Sequence, residues 1–210
     1  TNRKVDDINN TNLYKLETPS FTYDAIVKGS WKDKEHPVKK EIILKVGAQI
    51  MITKNDMDDP KRWVNGTLGV ITFLSKDQIK VKIDEKIFSL GKTKWDKYNY
   101  QFINNKVNTK SVGSFIQFPI KLAWATTIHK SQGQTFDNVS IDMDTGSFAH
   151  GQTYVALSRA KTIEGISLLK NIRKKDIIFD HRVLEFIGQK LETKYIKEIT
   201  MNNKIIKKKS

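Results

Sequence analysis

The chain has 210 residues, 38% of them hydrophobic and 29% charged, which is enough apolar material for a folded core and argues against wholesale disorder. Its formal net charge is +14 and its pI about 9.7, a balance that favours polyanionic partners, nucleic acid first among them. A lysine-rich, AT-biased coding background is the competing source of that charge. There are no cysteines, which excludes disulfides and thiolate metal sites. No apolar run reaches the ~20 residues of a membrane span, so no membrane partner is expected. A start at Thr1 without methionine reads as a piece of something longer.

In chain order, Val5 to Leu16 reads as a short helix with Val5, Ile8, Leu13 and Leu16 at helical spacing, ended by Pro19. Phe21 to Val27 reads as a strand and Trp31 to Lys40 as a charged loop. Ile42 to Thr53, broken at Gly47, reads as mostly buried strand. Asn65-Gly66 is a strong turn signal. Five short strands are predicted after it, at Leu68–Leu74, Gln78–Ile83, Lys86–Leu90, Tyr98–Ile103 and Val112–Phe118, a pattern suited to a small antiparallel barrel. Pro119 closes that region. Beyond it, Val139–Met143 and Ile166–Leu169 are predicted strands, with a helix running through Leu157 and another from Asp180 to Gln189. The tail from Lys194 is basic and weakly periodic.

Two stretches concentrate chemistry. Thr127-Ile-His-Lys-Ser131 supplies a hydroxyl, an imidazole and an ammonium suited to phosphate oxygens. Gly133 permits a sharp turn beside Gln132 and Gln134, whose amides can couple the loop to a strand or nucleotide. A satisfied polar loop is the plain alternative. Farther on, Tyr154-Val-Ala-Leu-Ser-Arg-Ala-Lys161 reads as an amphipathic helix with Tyr154, Val155 and Leu157 packed inward and Arg159 presented at its end. Such an arginine suits bidentate contact with a γ-phosphate, or merely complements the helix dipole.

Other candidates are weaker. Asp56-Met-Asp-Asp59 is read as a solvated loop rather than a metal site, and His36, His129, His150 and His181 lack zinc spacing. Trp124 is read as core. Trp95 and Tyr98 are the better candidates for stacking on bases.

Taken together, Phe118-Pro-Ile-Lys-Leu-Ala-Trp-Ala-Thr-Thr-Ile-His-Lys-Ser-Gln-Gly-Gln-Thr-Phe136 and Tyr154–Lys161 resemble motifs V and VI of the RecD/Pif branch of superfamily 1B DNA helicases. Thr1–Asn9 resembles the opening of that family's second RecA-like domain. Leu44–Met51 with Val64-Asn-Gly-Thr-Leu-Gly-Val70 resembles the entry to its inserted SH3-like barrel.

The resemblance implies an α/β fold: a RecA-like, parallel-sheet domain of the P-loop NTPase type in two pieces, 1–64 and 119–190. An antiparallel SH3-like barrel at 65–118 would interrupt it, and a basic tail at 191–210 would follow. It implies that Arg159 contacts the ATP γ-phosphate. Gln132, Gly133 and Gln134 would couple nucleotide to strand, and Asn65, Thr127, His129 and Lys130 would contact single-stranded DNA. It further implies 5′-to-3′ translocation, an N-terminal RecA-like domain as partner, roles in DNA repair and recombination, and a cytoplasmic or nucleoid location.

ATP and Mg²⁺ would serve the parent enzyme. The Gly-x-x-x-x-Gly-Lys-[Ser/Thr] phosphate loop and the Asp-Glu magnesium pair do not occur in this sequence, so the chain alone is expected to bind neither and to lack ATPase activity. Two other functions remain open from sequence. One is a non-catalytic basic nucleic-acid-binding module. The other is a nuclease-associated component, disfavoured by the lack of clustered carboxylates.

Overall fold

A computed structural model describes residues 2–103, 106–183 and 185–188. It divides into two compact units, Thr1–Thr127 and Ile128–Ser210. The predicted tail, 191–210, lies outside the described residues.

In the first unit, α1 (Asn2–Lys15) forms where the helical spacing placed it and buries Leu13. Asn9 is buried beside that apolar stripe, and its amide clasps the backbone of Ala125: Nδ2 donates to the Ala125 carbonyl at 3.0 Å and Oδ1 accepts its N–H at 2.9 Å. The single strand expected at Phe21–Val27 is two strands, β1 (Ser20–Asp24) and β2 (Ile26–Gly29). They part at Ala25 because each has a different partner. β1 pairs with β3 (Glu41–Lys45), whereas β2 runs against Phe115 and Ile116 farther along the chain. The Ala25 N–H donates to Lys40 O at 2.8 Å and holds the corner.

After Gly47, at φ 91°, comes β4 (Gln49–Ile52), and then β5 (Leu68–Leu74), β6 (Ile79–Ile83) and β7 (Lys86–Leu90). These join β10 (Ile120–Leu122) in one antiparallel sheet of order β10-β4-β5-β6-β7. The last two predicted strands are much longer than read. β8 (Thr93–Ile103) and β9 (Lys106–Gln117) pair along their whole length and add β2 at the edge. Sequence missed Thr93–Lys97 of β8 and Lys106–Ser111 of β9, where Thr, Lys, Asn and Ser leave too few apolar residues to reveal a period. Among the described residues these sheets are open, with no closed barrel.

The core of this unit gathers Leu44, Ile50, Ile52, Ile79, Phe115 and Phe118, all essentially inaccessible. Burying each contributes roughly 1.5–3 kcal/mol. Gln117, fully buried among them, is satisfied: Nε2 donates to Tyr23 O and Lys40 O at 2.9 and 3.0 Å. Trp124 packs partly buried against this core, as read. Trp95 does too, 6.0 Å from the Phe115 ring, which removes it from the exposed stacking candidates.

Asp56 also departs from expectation. It is buried, not solvated, and takes a bidentate pair from Arg62 (2.6 and 2.7 Å) with the backbone N–H of Met57 and Arg62. Those hydrogen bonds, Arg62's first, hold its carboxyl far below the usual range. The pair fastens the loop leading to the Asn65-Gly66 turn.

The second unit is small. β11 (Val139–Ile141) and β12 (Ile166–Leu168) pair in parallel, with α2 (Gln152–Leu157) in the connection between them. Parallel neighbours need such a crossover. Ile141, Met143 and Ala156 form its core with Ile128, Val139, Leu157 and Ile166. Residues 181–183 and 185–188 are helical where a last helix was predicted. The chain is therefore α/β with mixed sheets: the strand pairings of the first unit are antiparallel, and the parallel pairing expected of 1–64 and 119–190 is found at β11–β12. Short turns dictate antiparallel neighbours at β5–β6, β6–β7 and β8–β9, whereas β2–β9 and β4–β10 pair strands far apart in the sequence.

Candidate functional site

The loop after Ile128 is built by backbone bonds of short reach. Ser131 donates to Ile128 O twice, from N at 3.3 Å and from Oγ at 2.8 Å. Gln132 N donates to His129 O (3.3 Å) and Gln134 N to Ser131 O (3.0 Å). The result is a tight turn, His129–Ser131, that reverses at Gly133, whose φ of 77° is natural only for glycine. Ser131 is thereby buried while His129, Lys130 and Gln132 face solvent. The His129 ring lies 6.5 Å from Phe148.

α2 is shorter than predicted. It stops at Leu157, and Arg159 sits just past its end. Its buried residues are Thr153 and Ala156, three apart on one face, while Tyr154 is turned about 100° away and is exposed. The expectation that Tyr154 packs inward was wrong for that reason.

Arg159 lies folded back against the turn. Nη1 donates to Gln134 O at 2.8 Å and Ser131 O at 3.3 Å, Nε to Val155 O at 2.8 Å, and Nη2 to Ser158 Oγ at 2.7 Å. The backbones are stitched as well: Phe136 N donates to Arg159 O (2.8 Å) and Lys161 N to Phe136 O (3.0 Å). Every one of these guanidinium partners is neutral. Among the described residues no carboxylate is paired with Arg159, so its charge remains available to an anion.

The helix is held from its other side by a network that sequence reasoning missed. Thr153 Oγ1 donates to Asp176 O. Its proton being spent there, Ser147 Oγ is the donor in the 2.7 Å contact between the two hydroxyls. Gln152 Oε1 accepts from Phe148 N and Ala149 N at 3.0 and 3.3 Å. Asp176 is buried, and the Arg173 guanidinium and N–H beside it pull its carboxyl down to about 2. The i,i+3 spacing of Arg173 and Asp176 was the available signal.

Of the residues singled out from sequence, Arg159 and Gln134 are joined directly. Gln132 and Gly133 belong to the same turn, and His129 and Lys130 occupy its exposed side. Thr127 and Asn65 belong to the first unit. Asn65 is exposed in a turn, its N–H donating to Asn55 Oδ1 at 2.7 Å. Thr127 follows the Ala125 peptide that Asn9 clasps.

Residues 122–163, which contain this whole arrangement from turn to helix end, match the family model described as UvrD-like helicase C-terminal domain. The ATP-dependent DNA helicase Pif1 of Bdellovibrio bacteriovorus is 33% identical over 195 residues, 89% of this chain and 42% of that protein. The chain is homologous to the C-terminal part of Pif1 helicases. Solved Pif1 structures agree. Unliganded Pif1 from Bacteroides sp. superposes with a TM-score of 0.80 at 35% identity, covering 90% of this chain and 43% of that one. Bacteroides Pif1 in complex with ADP-AlF3 and single-stranded DNA gives 0.74 at 35% identity, covering 90% and 43%. The chain thus spans less than half the length of the Pif1 proteins it matches.

Proposed function

We propose that this chain is the C-terminal motor portion of an ATP-dependent 5′-to-3′ DNA helicase. In this reading it supplies an arginine that stabilises the γ-phosphate during hydrolysis and part of the track for single-stranded DNA. The observation that carries the proposal is Arg159: a cation with no carboxylate partner among the described residues, fixed by Val155 O and Ser158 Oγ to α2 and by Ser131 O and Gln134 O to the turn. Phosphoryl transfer is accelerated mostly by positioned charge, and an arginine so held is well suited to it. The Bacteroides Pif1 structure in complex with ADP-AlF3 and single-stranded DNA supports the reading.

The finer assignments follow from it. Gln132, Gly133 and Gln134 link nucleotide to strand, and His129, Lys130, Thr127 and Asn65 contact DNA. The fold would be a RecA-like domain (1–64 and 119–190) with an SH3-like insertion at 65–118 and a basic tail at 191–210. ATP and Mg²⁺ would be held chiefly by an N-terminal RecA-like domain of the same protein. Cellular work in DNA repair or recombination, in the cytoplasm or on the nucleoid, belongs to the same proposal.

The test is Arg159→Ala in the full-length protein. DNA-stimulated ATPase turnover is expected to fall about 10³-fold or more, with DNA affinity largely kept. Normal turnover would show that Arg159 does not serve the γ-phosphate, and a full-length sequence without a phosphate loop would leave a non-catalytic nucleic-acid-binding module instead.

A further inference from the structure

α2 has six residues, fewer than two turns, and a helix that short does not persist in water without tertiary support. Its apolar support is thin. Ala156 and the half-buried Leu157 are what it sets against the small core of its unit, and its other buried residue is polar, Thr153. Hydrogen bonds therefore decide much of its position and rotation. They converge on one strip of chain, 173–178. Thr153 Oγ1 donates to Asp176 O, and Gly151 N donates to Ile178 O at 2.8 Å, so both grip the start of the helix.

The strip is itself braced. Arg173 donates to the buried Asp176 carboxylate from N, Nε and Nη2 at 2.9, 3.0 and 3.2 Å, and from Nη2 to Thr145 O at 2.9 Å. Ser147 closes the ring: its hydroxyl lies 2.7 Å from that of Thr153, and its N–H supports the same carboxylate. Gly146, between them, has φ 125°, and a Cβ there would collide with Asp176 Oδ1, so only glycine lets the loop come this close.

Thr153 is too far back to serve a phosphate that Arg159 reaches. Its side chain is buried, and the six positions between them span about 9 Å of helical rise. It bears on Arg159 through the helix alone. Arg159 hangs by Nε from Val155 O and by Nη2 from Ser158 Oγ, so a rotation of α2 carries the guanidinium with it. At a helix radius of about 6 Å, a rotation of about 10° moves a side chain by about 1 Å. A displacement of that size at a reacting centre can cost ~100-fold in rate.

We propose that Thr153 is a positioning residue for Arg159, and that the ring of Ser147, Arg173 and Asp176 is the fixed base that sets the rotation of α2. This rests on the reading of Arg159 as the arginine that serves the γ-phosphate, and it adds the device that aims it.

The experiment is steady-state ATPase of the full-length protein with saturating single-stranded DNA. Thr153→Val keeps the shape of the side chain and removes its hydroxyl. Its kcat is expected to fall about tenfold, a part of what a misplacement of about 1 Å can cost, with the KM for ATP and the affinity for DNA unchanged. Thr153→Ser restores the hydroxyl and should recover kcat. In an Arg159→Ala background, Thr153→Val should cost nothing more, because a positioning residue has no effect once the group it positions is gone. A normal kcat in Thr153→Val overturns the proposal. So does a further tenfold loss in the Arg159→Ala background, which would mean that the hydroxyl acts independently of the arginine. If the valine variant does not fold, Ser147→Ala carries the same test. It removes one of the two hydroxyl contacts, so about threefold is expected, half of tenfold on a logarithmic scale, with the same dependence on Arg159. A crippled Arg159→Ala beside a normal Thr153→Val sinks the positioning alone, whereas normal turnover in Arg159→Ala sinks the reading of Arg159 beneath it.

Discussion

Replacing Arg159 with lysine separates its charge from its geometry. The guanidinium makes four hydrogen bonds in three directions: to the helix at Val155 O, to Ser158 Oγ, and to the turn at Ser131 O and Gln134 O. A lysine ammonium is a point donor on a flexible stem and can keep one of these at a time. Three bonds are therefore lost. Bonds to a charged group are worth roughly 1.5–3 kcal/mol each when buried. At a half-buried site about half the lower figure applies, because water replaces much of what is lost, and the total comes to about 2 kcal/mol. The loss falls on the link between turn and helix, since Ser131 O and Gln134 O are the carbonyls released. Amide exchange followed by mass spectrometry should show residues 129–137 exchanging about 30-fold faster in Arg159→Lys, the equivalent of that 2 kcal/mol in a local opening. Exchange in β4 and β5 should be unchanged. If residues 129–137 exchange at the parent rate, the arginine does not hold the turn and the tether is of no consequence.

Two further predictions follow from the supporting residues. Asn9→Leu keeps the volume of a buried side chain but leaves the N–H and carbonyl of Ala125 without their partners; it should lower stability by roughly 2 kcal/mol, read as a shift in the urea midpoint, and a loss below about 0.5 kcal/mol would mean the clasp is idle. Asp176 titrates at about 2 because Arg173 stabilises its charged form, so its folded-state pKa lies below the unfolded one. Its contribution is therefore complete above about pH 4 and is lost as pH falls toward 2. Melting temperatures of the parent and Asp176→Asn should differ above pH 4 and converge near pH 2, and a gap independent of pH would contradict the pairing.

What the sequence made legible were features that depend on local chemistry. Gly133 announced a turn and has the left-handed φ that a turn needs. The apolar runs at Ile42–Thr53 and Leu68–Leu90 became strands because their hydrophobic residues had a core to face. Arg159 stood out through its neighbours in sequence. What escaped were features set by long-range partners. Asn9 is an ordinary polar residue until the backbone of Ala125, 116 positions away, lies against it. Asp56 looked solvated because its loop is rich in charge, yet Arg62 reaches back to bury it. Ala25 breaks a strand only because two different partners claim its flanks. Tyr154 was assigned to the wrong face because a six-residue helix gives too little periodicity to fix its rotation, so bulk was mistaken for burial.

The Arg159 network also constrains how the proposed motor would work. A guanidinium has five N–H groups, and four of them are engaged with the turn, the helix and Ser158. The one left can make a single bond to a phosphate. The bidentate grip that an arginine gives a transferring phosphoryl group therefore requires it to surrender at least one bond, and the longest, 3.3 Å to Ser131 O, is the weakest held. That carbonyl belongs to the turn bearing His129 and Lys130. On the proposed reading, nucleotide and turn compete for one cation, so a γ-phosphate that draws Arg159 toward itself loosens the turn, and its departure restores the tether. A coupling of this kind needs no long relay. It resides in the limited donor count of one side chain and would be abolished by lysine, which has no fork to divide between them.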